Sequence, residues 1–164
     1  MLKSHPQASI AEEVFETGRH SLNRSDIPLG LELMLEGINM YEQIHQVIHP
    51  EVAAAYNQYA VAMHQLVRLR IQQLQAEGKE NEDLNLDIST AIKLQRQAII
   101  AAERTLGIHH AETISFYYNL AMLENLQGNA ETALRLLKHV LALWDVVYGP
   151  DHPELPSILV GQLS

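Results

Sequence analysis

Nine histidines lie along the 164 residues, and two of their spacings are ones a metal ion could use. His45 and His49 stand four apart, and His109 and His110 are adjacent. A protein zinc site converges four ligands, and the chain has no cysteine to supply a thiolate. No carboxylate completes a set at either place, and the step from His45 to His49 straddles a predicted helix end, so no metal site is expected. Serine, histidine and acidic residues all occur, but none sits in a Gly-rich nucleophile turn, a phosphate-cradling loop or a His-Glu-x-x-His helix. No catalytic residue and no cofactor site is assigned, and the chain is expected not to be an enzyme.

The histidines have another use. "YGPDHPE" at 148–154 is echoed by His49-Pro50-Glu51, His110-Ala111-Glu112 and His5-Pro6-Gln7. Proline suits the first turn of a helix, where its missing N–H would be unpaired anyway, and glutamate there faces the positive end of the helix dipole. Asp151 or His152 can accept hydrogen bonds from the open amides of the helix that follows. The phrase therefore reads as a helix-to-helix joint that recurs because each unit of a repeat needs one.

Offsets locate the repeat. His49 to His110 is 61 residues, and the same shift carries Tyr56 to Tyr117, Tyr59 to Leu120 and Ala60 to Ala121. The second halves match at 42, taking Ala91 to Ala133, Leu94 to Leu136 and Ile99 to Leu141, as does the return from His110 to His152. The difference of 19 places an insertion inside the second unit, at about 66–84. Gly30, Leu31 and Leu33 stand 61 before Ala91, Ile92 and Leu94, so a degenerate first unit is present as well. The units are expected at about 5–48, 49–109, 110–151 and, in part, 152–164. Since the pattern has only just restarted at the end, the sequence reads as a piece of something longer.

Apolar residues recur at helical spacing within each unit. "ALRLLKHVLALW" sets Leu134, Leu137, Leu141 and Trp144 three and four apart, a stripe expected to be buried against a neighbour. Gly128 is expected to close one helix by a left-handed turn and Asn129 to cap the next. Helices are predicted near 7–23, 27–46, 50–77, 83–106, 111–127, 130–147 and 153–163. The chain is 47% hydrophobic with only 5% aromatic residues, a mix that fills helix–helix seams. The reading is one all-α domain, a right-handed α-α superhelix of about three hairpins plus the start of a fourth, whose first helices line a concave face. The insertion is expected to lengthen a helix pair or loop out at the end of the stack.

The third unit, "TISFYYNLAMLENLQGNAETALRLLKHVLALWDVVYGPDHPE", resembles a tetratricopeptide repeat, with small residues Ala121 and Ala133 where two helices cross and Leu120 and Gly128 in register. Its 42-residue length resembles the long-helix repeats of kinesin light chains. Over about 27–160 the chain is similar to the tetratricopeptide region of the clustered mitochondria protein family. Members typically carry Asp-His-Pro-Glu-Thr where this chain reads His109-His110-Ala111-Glu112-Thr113. The resemblance implies a large cytoplasmic parent protein, needed for normal mitochondrial distribution, that binds messenger RNAs for mitochondrial proteins and associates with the translation machinery. A kinesin-light-chain-like cargo adaptor is the alternative, although such a repeat is not expected to carry the insertion.

The net charge of −9 repels phosphate backbones and anionic headgroups, so RNA contact is expected outside this segment or on a local patch such as Arg68, Arg70 and Lys79. No apolar run approaches the roughly 18 residues needed to span a bilayer, and no membrane insertion is expected. If Leu120 and Ala121 point into the stack, helical geometry turns Tyr118, Asn119, Met122 and Asn125 toward the groove. Asn57, Gln58, Val61 and His64 are their counterparts in the unit before. These eight residues are the expected docking surface for a protein or peptide, or for another domain of the same protein, with the asparagines able to bond an extended backbone. Trp144 is expected to cover a seam with the next hairpin.

Overall fold

The computed structural model describes residues 6–23, 26–44, 50–80 and 87–149. They form six helices: α1 (Pro6–Asn23), α2 (Ile27–Ile44), α3 (Pro50–Ala76), α4 (Ile88–Thr105), α5 (Ala111–Leu126) and α6 (Ala130–Tyr148). Among the described residues there is no strand. The first six predicted helices are found, and the seventh, over 153–163, lies outside the described residues together with His5, His45, His49 and His152.

Local chemistry sets the helix ends. Pro6 and Pro50 are the first residues of α1 and α3, the position where proline's missing donor is harmless. At the third joint, which lacks proline, the His110 Nδ1 accepts a hydrogen bond from the Glu112 N–H at 3.1 Å, so the imidazole itself satisfies an open amide of the first turn. α4 begins at Ile88, later than the expected 83, because the Asp87 carboxylate accepts from the Thr90 N–H at 3.1 Å and from the Ser89 hydroxyl at 2.7 Å. That cap fixes the start more strongly than apolar periodicity does. Gly128 closes α5 with φ of 93°, as a glycine can. The expected cap by Asn129 is not made. Its Nδ2 turns back to donate to Glu124 Oε2 at 2.7 Å, leaving α6 with no side-chain cap.

The helices pack as consecutive hairpins, α1 on α2, α3 on α4 and α5 on α6, with α2 meeting α3, α4 meeting α5, and α3 also touching α5. Each hairpin closes on small residues. A Cβ added at Gly18 would lie 2.6 Å from the Gly30 carbonyl, and one at Gly30 would lie 2.8 Å from the Gly18 carbonyl. Nothing larger than glycine fits that crossing without moving backbone. Gly18 stands 42 residues before Ala60, and Gly30 stands 61 before Ala91, so the first unit uses glycine where later units use alanine. Ala60, Ala91, Ala121 and Ala133 are all buried.

The main core runs from Ala11 and Phe15 through Met34, Tyr56, Tyr59 and Ile99 to Phe116 and Leu123. A second cluster joins α5 to α6 through Ile114, Ala121, Met122, Leu137, Val140 and Leu143. The α6 stripe is divided between two environments. Leu137 is buried, whereas Leu134 is 51% and Leu141 37% exposed, because no described element packs on that side of α6. Trp144 is half-buried against the second cluster, with its ring tilted on Tyr148 at a centroid separation of 4.3 Å. The insertion lengthens α3, which runs unbroken to Ala76 and is 27 residues long against 16 for α5.

One hydrogen bond repeats between hairpins. The Tyr56 hydroxyl donates to the Glu42 carboxylate and the Tyr117 hydroxyl to the Glu103 carboxylate. Both pairs span 14 residues and are related by the 61-residue offset. Each ties the second helix of one hairpin to the first helix of the next. Burial, followed by the bonded carboxylate, raises the ionisation of both tyrosines well above the ordinary range. Tyr59 is raised to about 12, first by burial and then by Asp87.

Two outcomes are expected. Ala121→Leu should destabilise the chain by about 1–3 kcal/mol through overpacking, while Ala76→Leu, on an exposed position, should be nearly neutral in the same urea titration. Because the folded tyrosines hold their protons above the ordinary value of 10.0, the unfolded chain ionises first. Their contribution to stability is then full below pH 10 and lost above it. Urea midpoints measured through that range should fall, and should fall less steeply in Tyr56→Phe with Tyr117→Phe.

Candidate partner-binding groove

α3 is the floor of the groove. Asn57, Val61, His64 and Arg68 recur every three or four residues and share one face of it. α1 flanks that face on one side and α5 on the other, and three cavities follow one another along α3. The first, of about 190 Å³, is walled by Glu12, Phe15 and Glu16 of α1, Tyr41 of α2, and Glu51, Ala54, Ala55 and Gln58 of α3. The second, of about 410 Å³, shares Gln58 and adds Arg19, Leu22, Asn57, Val61, Leu66 and Leu69. The third, of about 200 Å³, shares Val61 and Gln65 and adds His64, Arg68, Tyr118, Asn119 and Met122. Seven of the eight residues expected at the docking surface therefore line the second and third cavities. Asn125, though exposed, stands outside all three.

A polar network crosses between α3, α4 and α5 beneath these cavities. Asn57 Oδ1 accepts from Gln95 Nε2 at 3.0 Å and from Asn119 Nδ2 at 2.9 Å, and Gln95 Nε2 also donates to the Phe116 carbonyl at 2.9 Å. Gln95 is fully buried, and its Oε1 finds no partner among the described residues. The offsets do not single out this residue, although they hold a signal. Met34 and Leu137 occupy the equivalent positions in the other units, so Gln95 is a polar side chain at a core register. Gln95 fixes the carboxamide of Asn57, which in turn accepts from Asn119, and Asn57 Nδ2 and Asn119 Oδ1 are without protein partners among the described residues.

The groove changes sign along its length. Tyr41, in the first cavity, is raised to about 12 by burial and then by the surrounding carboxylates of Glu12, Glu51 and Glu16. At the other end burial, followed by the Arg68 guanidinium, lowers His64 from its ordinary 6.5, so the imidazole is neutral at pH 7. Burial raises Tyr118, opposed by Arg68.

Arg68 and Arg70 are about 200° apart around α3. Arg68 faces the third cavity, whereas Arg70 Nη1 donates to Gln73 Oε1 at 3.1 Å. Lys79, beyond the end of α3, lies 3.7 Å from Glu77. Gln73 donates in turn to Glu77 at 3.2 Å, so Arg70 and Lys79 meet one chain of bonds at the end of α3, apart from Arg68.

Away from the groove, Glu124 is 2% exposed and is held by Arg96 and Asn129, each at 2.7 Å, beside a cavity of about 580 Å³ between α4, α5 and α6. Its register is that of the buried Met63, 61 residues earlier, and of Ser21 in the first unit. Among the described residues no cluster of three or more His, Cys, Asp or Glu could hold a metal ion, and no helix is long and apolar enough to cross a membrane.

Comparison with known proteins agrees with this architecture. A family model described as tetratricopeptide repeat matches residues 112–161. Two crystal structures of a Podosopora anserina kinesin-light-chain-type protein with nearly identical tetratricopeptide-like repeats superpose on the chain. One has a TM-score of 0.67 at 21% identity, covering 91% of this chain and 61% of that one. The other, a variant of the same protein, has a TM-score of 0.60 at 20% identity, covering 86% and 57%. These matches and the stacked hairpins define a tetratricopeptide-repeat protein of the long-helix type. Clustered mitochondria protein homologs from Mycosarcoma maydis and Aspergillus oryzae are each 40% identical, over 89% and 91% of this chain. The chain is thus similar to a tetratricopeptide-repeat region of clustered mitochondria proteins and spans 10–11% of the length of these two relatives.

His64 supplies a local check. Its ring resonances should titrate below 6.5, and Arg68→Ala should move the midpoint only part of the way back, because burial is the larger cause.

Proposed function

We propose that this segment is a noncatalytic interaction module, docking an extended polypeptide in the groove between α1, α3 and α5. The observation that carries the reading is the pair Asn57 and Asn119. Asn57 is held by Gln95 and Asn119, and Asn119 by Asn57, yet among the described residues the pair keeps an unused donor and an unused acceptor beside adjoining cavities. A carboxamide held in one orientation bonds a peptide backbone at little entropic cost, and the neighbouring Leu22, Val61, Leu66 and Met122 supply apolar contact.

Similarity to the clustered mitochondria proteins supports a larger parent for the module. In this reading the parent acts in the cytoplasm in mitochondrial distribution, binds messenger RNAs for mitochondrial proteins and meets the translation machinery. This acidic segment contributes protein contacts, to partners or to the parent's other domains, and RNA contact falls to parts of the parent outside it. Supporting that division are the net charge of −9 and the placement of Arg68 in the groove, apart from Arg70 and Lys79. The likeness to kinesin light chain repeats is one of fold and carries no cargo assignment.

Affinity purification with the chain and with Tyr118→Ala plus Asn119→Ala tests the groove. Specific partners should be lost together while the helical circular dichroism is kept, and retention of every partner by the variant contradicts the reading. In a filter-binding assay at about 0.05 M salt, where phosphate contacts are strongest, transcripts of mitochondrial proteins should not be retained. Salt-dependent retention that weakens on charge reversal of Arg68 and Arg70 assigns RNA binding to the segment instead.

A further inference from the structure

The cavities that support docking also carry information about what docks. In the first, the carboxylates of Glu12, Glu16 and Glu51 line the wall and, among the described residues, no basic side chain does. Glu16 is bridged by Arg19 at 2.6 Å, while Glu12 makes no ion pair among the described residues. In the third, Arg68 lies beside the neutral His64, and no carboxylate among the described residues lines the wall. Between them the second cavity is bordered by Leu22, Val61, Leu66 and Leu69 together with Arg19 and Asn57. The groove is thus negative at one end, mixed apolar and polar in the middle and positive at the other.

We propose that its occupant is an extended peptide segment of a partner protein, with a lysine or arginine seated among Glu12, Glu16 and Glu51, apolar side chains in the middle cavity, and an aspartate or glutamate paired with Arg68. The proposal rests on the docking function argued above and adds the ligand's chemistry and polarity. Length follows from α3. The third cavity lies roughly ten residues along the helix from the first, and Arg68 lies 17 beyond Glu51, which at ~1.5 Å per residue is about 15–25 Å. An extended chain advances ~3.3 Å per residue, so the basic and acidic residues of the ligand are about five to seven positions apart. Charge at both ends also fixes direction, since a reversed peptide sets like charge against like at each.

Selection of a phage-displayed random dodecapeptide library on the 164-residue chain tests this. Enriched sequences should pair Lys or Arg with Asp or Glu at about that spacing and in a single order. A synthetic peptide of the consensus, followed by fluorescence anisotropy at low salt, should bind at least about tenfold more weakly to Arg68→Glu. A second peptide with lysine in place of its acidic residue should regain affinity for that variant. Glu12→Gln with Glu51→Gln should weaken the consensus peptide and leave its acid-end preference intact. Enriched peptides that lose binding with Tyr118→Ala plus Asn119→Ala but show no charge pattern, or ignore Arg68→Glu, overturn the polarity and leave the docking function standing. Failure to enrich any sequence, or enriched peptides indifferent to the double alanine variant, overturns both.

Discussion

Two helices can lie flush only where neither presents bulk at the crossing. In the first hairpin Gly18 and Gly30 meet carbonyl to Cα with no room for a methyl, and the equivalent positions of the later hairpins hold buried alanines. This close approach makes the hairpin the unit of the structure. A hairpin so formed still has an apolar side it cannot hide, and the only surface of matching shape is the next hairpin. Stacking follows, the first helices fall on one side, and the groove along α3 is the space they leave.

Within that lattice of small crossings, polar side chains appear at registers that are apolar in a neighbouring unit. Gln95 replaces the methionine or leucine of its counterparts, and Glu124 replaces a methionine. Both are buried and both are bonded, Gln95 to Asn57 and Phe116, Glu124 to Arg96 and Asn129. A buried polar group stabilises little by itself, but it restricts the arrangements its neighbours can adopt. Here the neighbour restricted by Gln95 is Asn57, at the floor of the groove. Departure from the repeat and construction of the site coincide.

The architecture is legible because a solenoid writes its geometry into the sequence more than once. The offsets of 61 and 42, the recurring joint and the spacing of Leu120, Ala121 and Ala133 are enough to place six helices and to single out seven residues that line adjoining cavities. Boundaries fail where one side chain outweighs periodicity, at Asp87, which caps α4 five residues later than expected. Asn129 reads as a cap in the sequence because its alternative partner, Glu124, belongs to the preceding helix and is visible only in three dimensions. The stripe on α6 reads as wholly buried because helical spacing reports which residues share a face, not whether a neighbour covers all of it. Gln95 escapes notice because polarity at a core register reads as noise until its partners are known.

The bonds from Tyr56 to Glu42 and from Tyr117 to Glu103 each bridge 14 residues, whereas α3 is 27 residues long and its counterpart α5 only 16. What is held constant is the hinge from one hairpin to the next; what varies is the reach of a hairpin's arms. Chain added within a hairpin leaves the pitch of the spiral untouched, but a residue added at a hinge would turn every later unit by a fraction of a helical revolution. The tyrosines thus mark which parts of such a protein can grow without bending it.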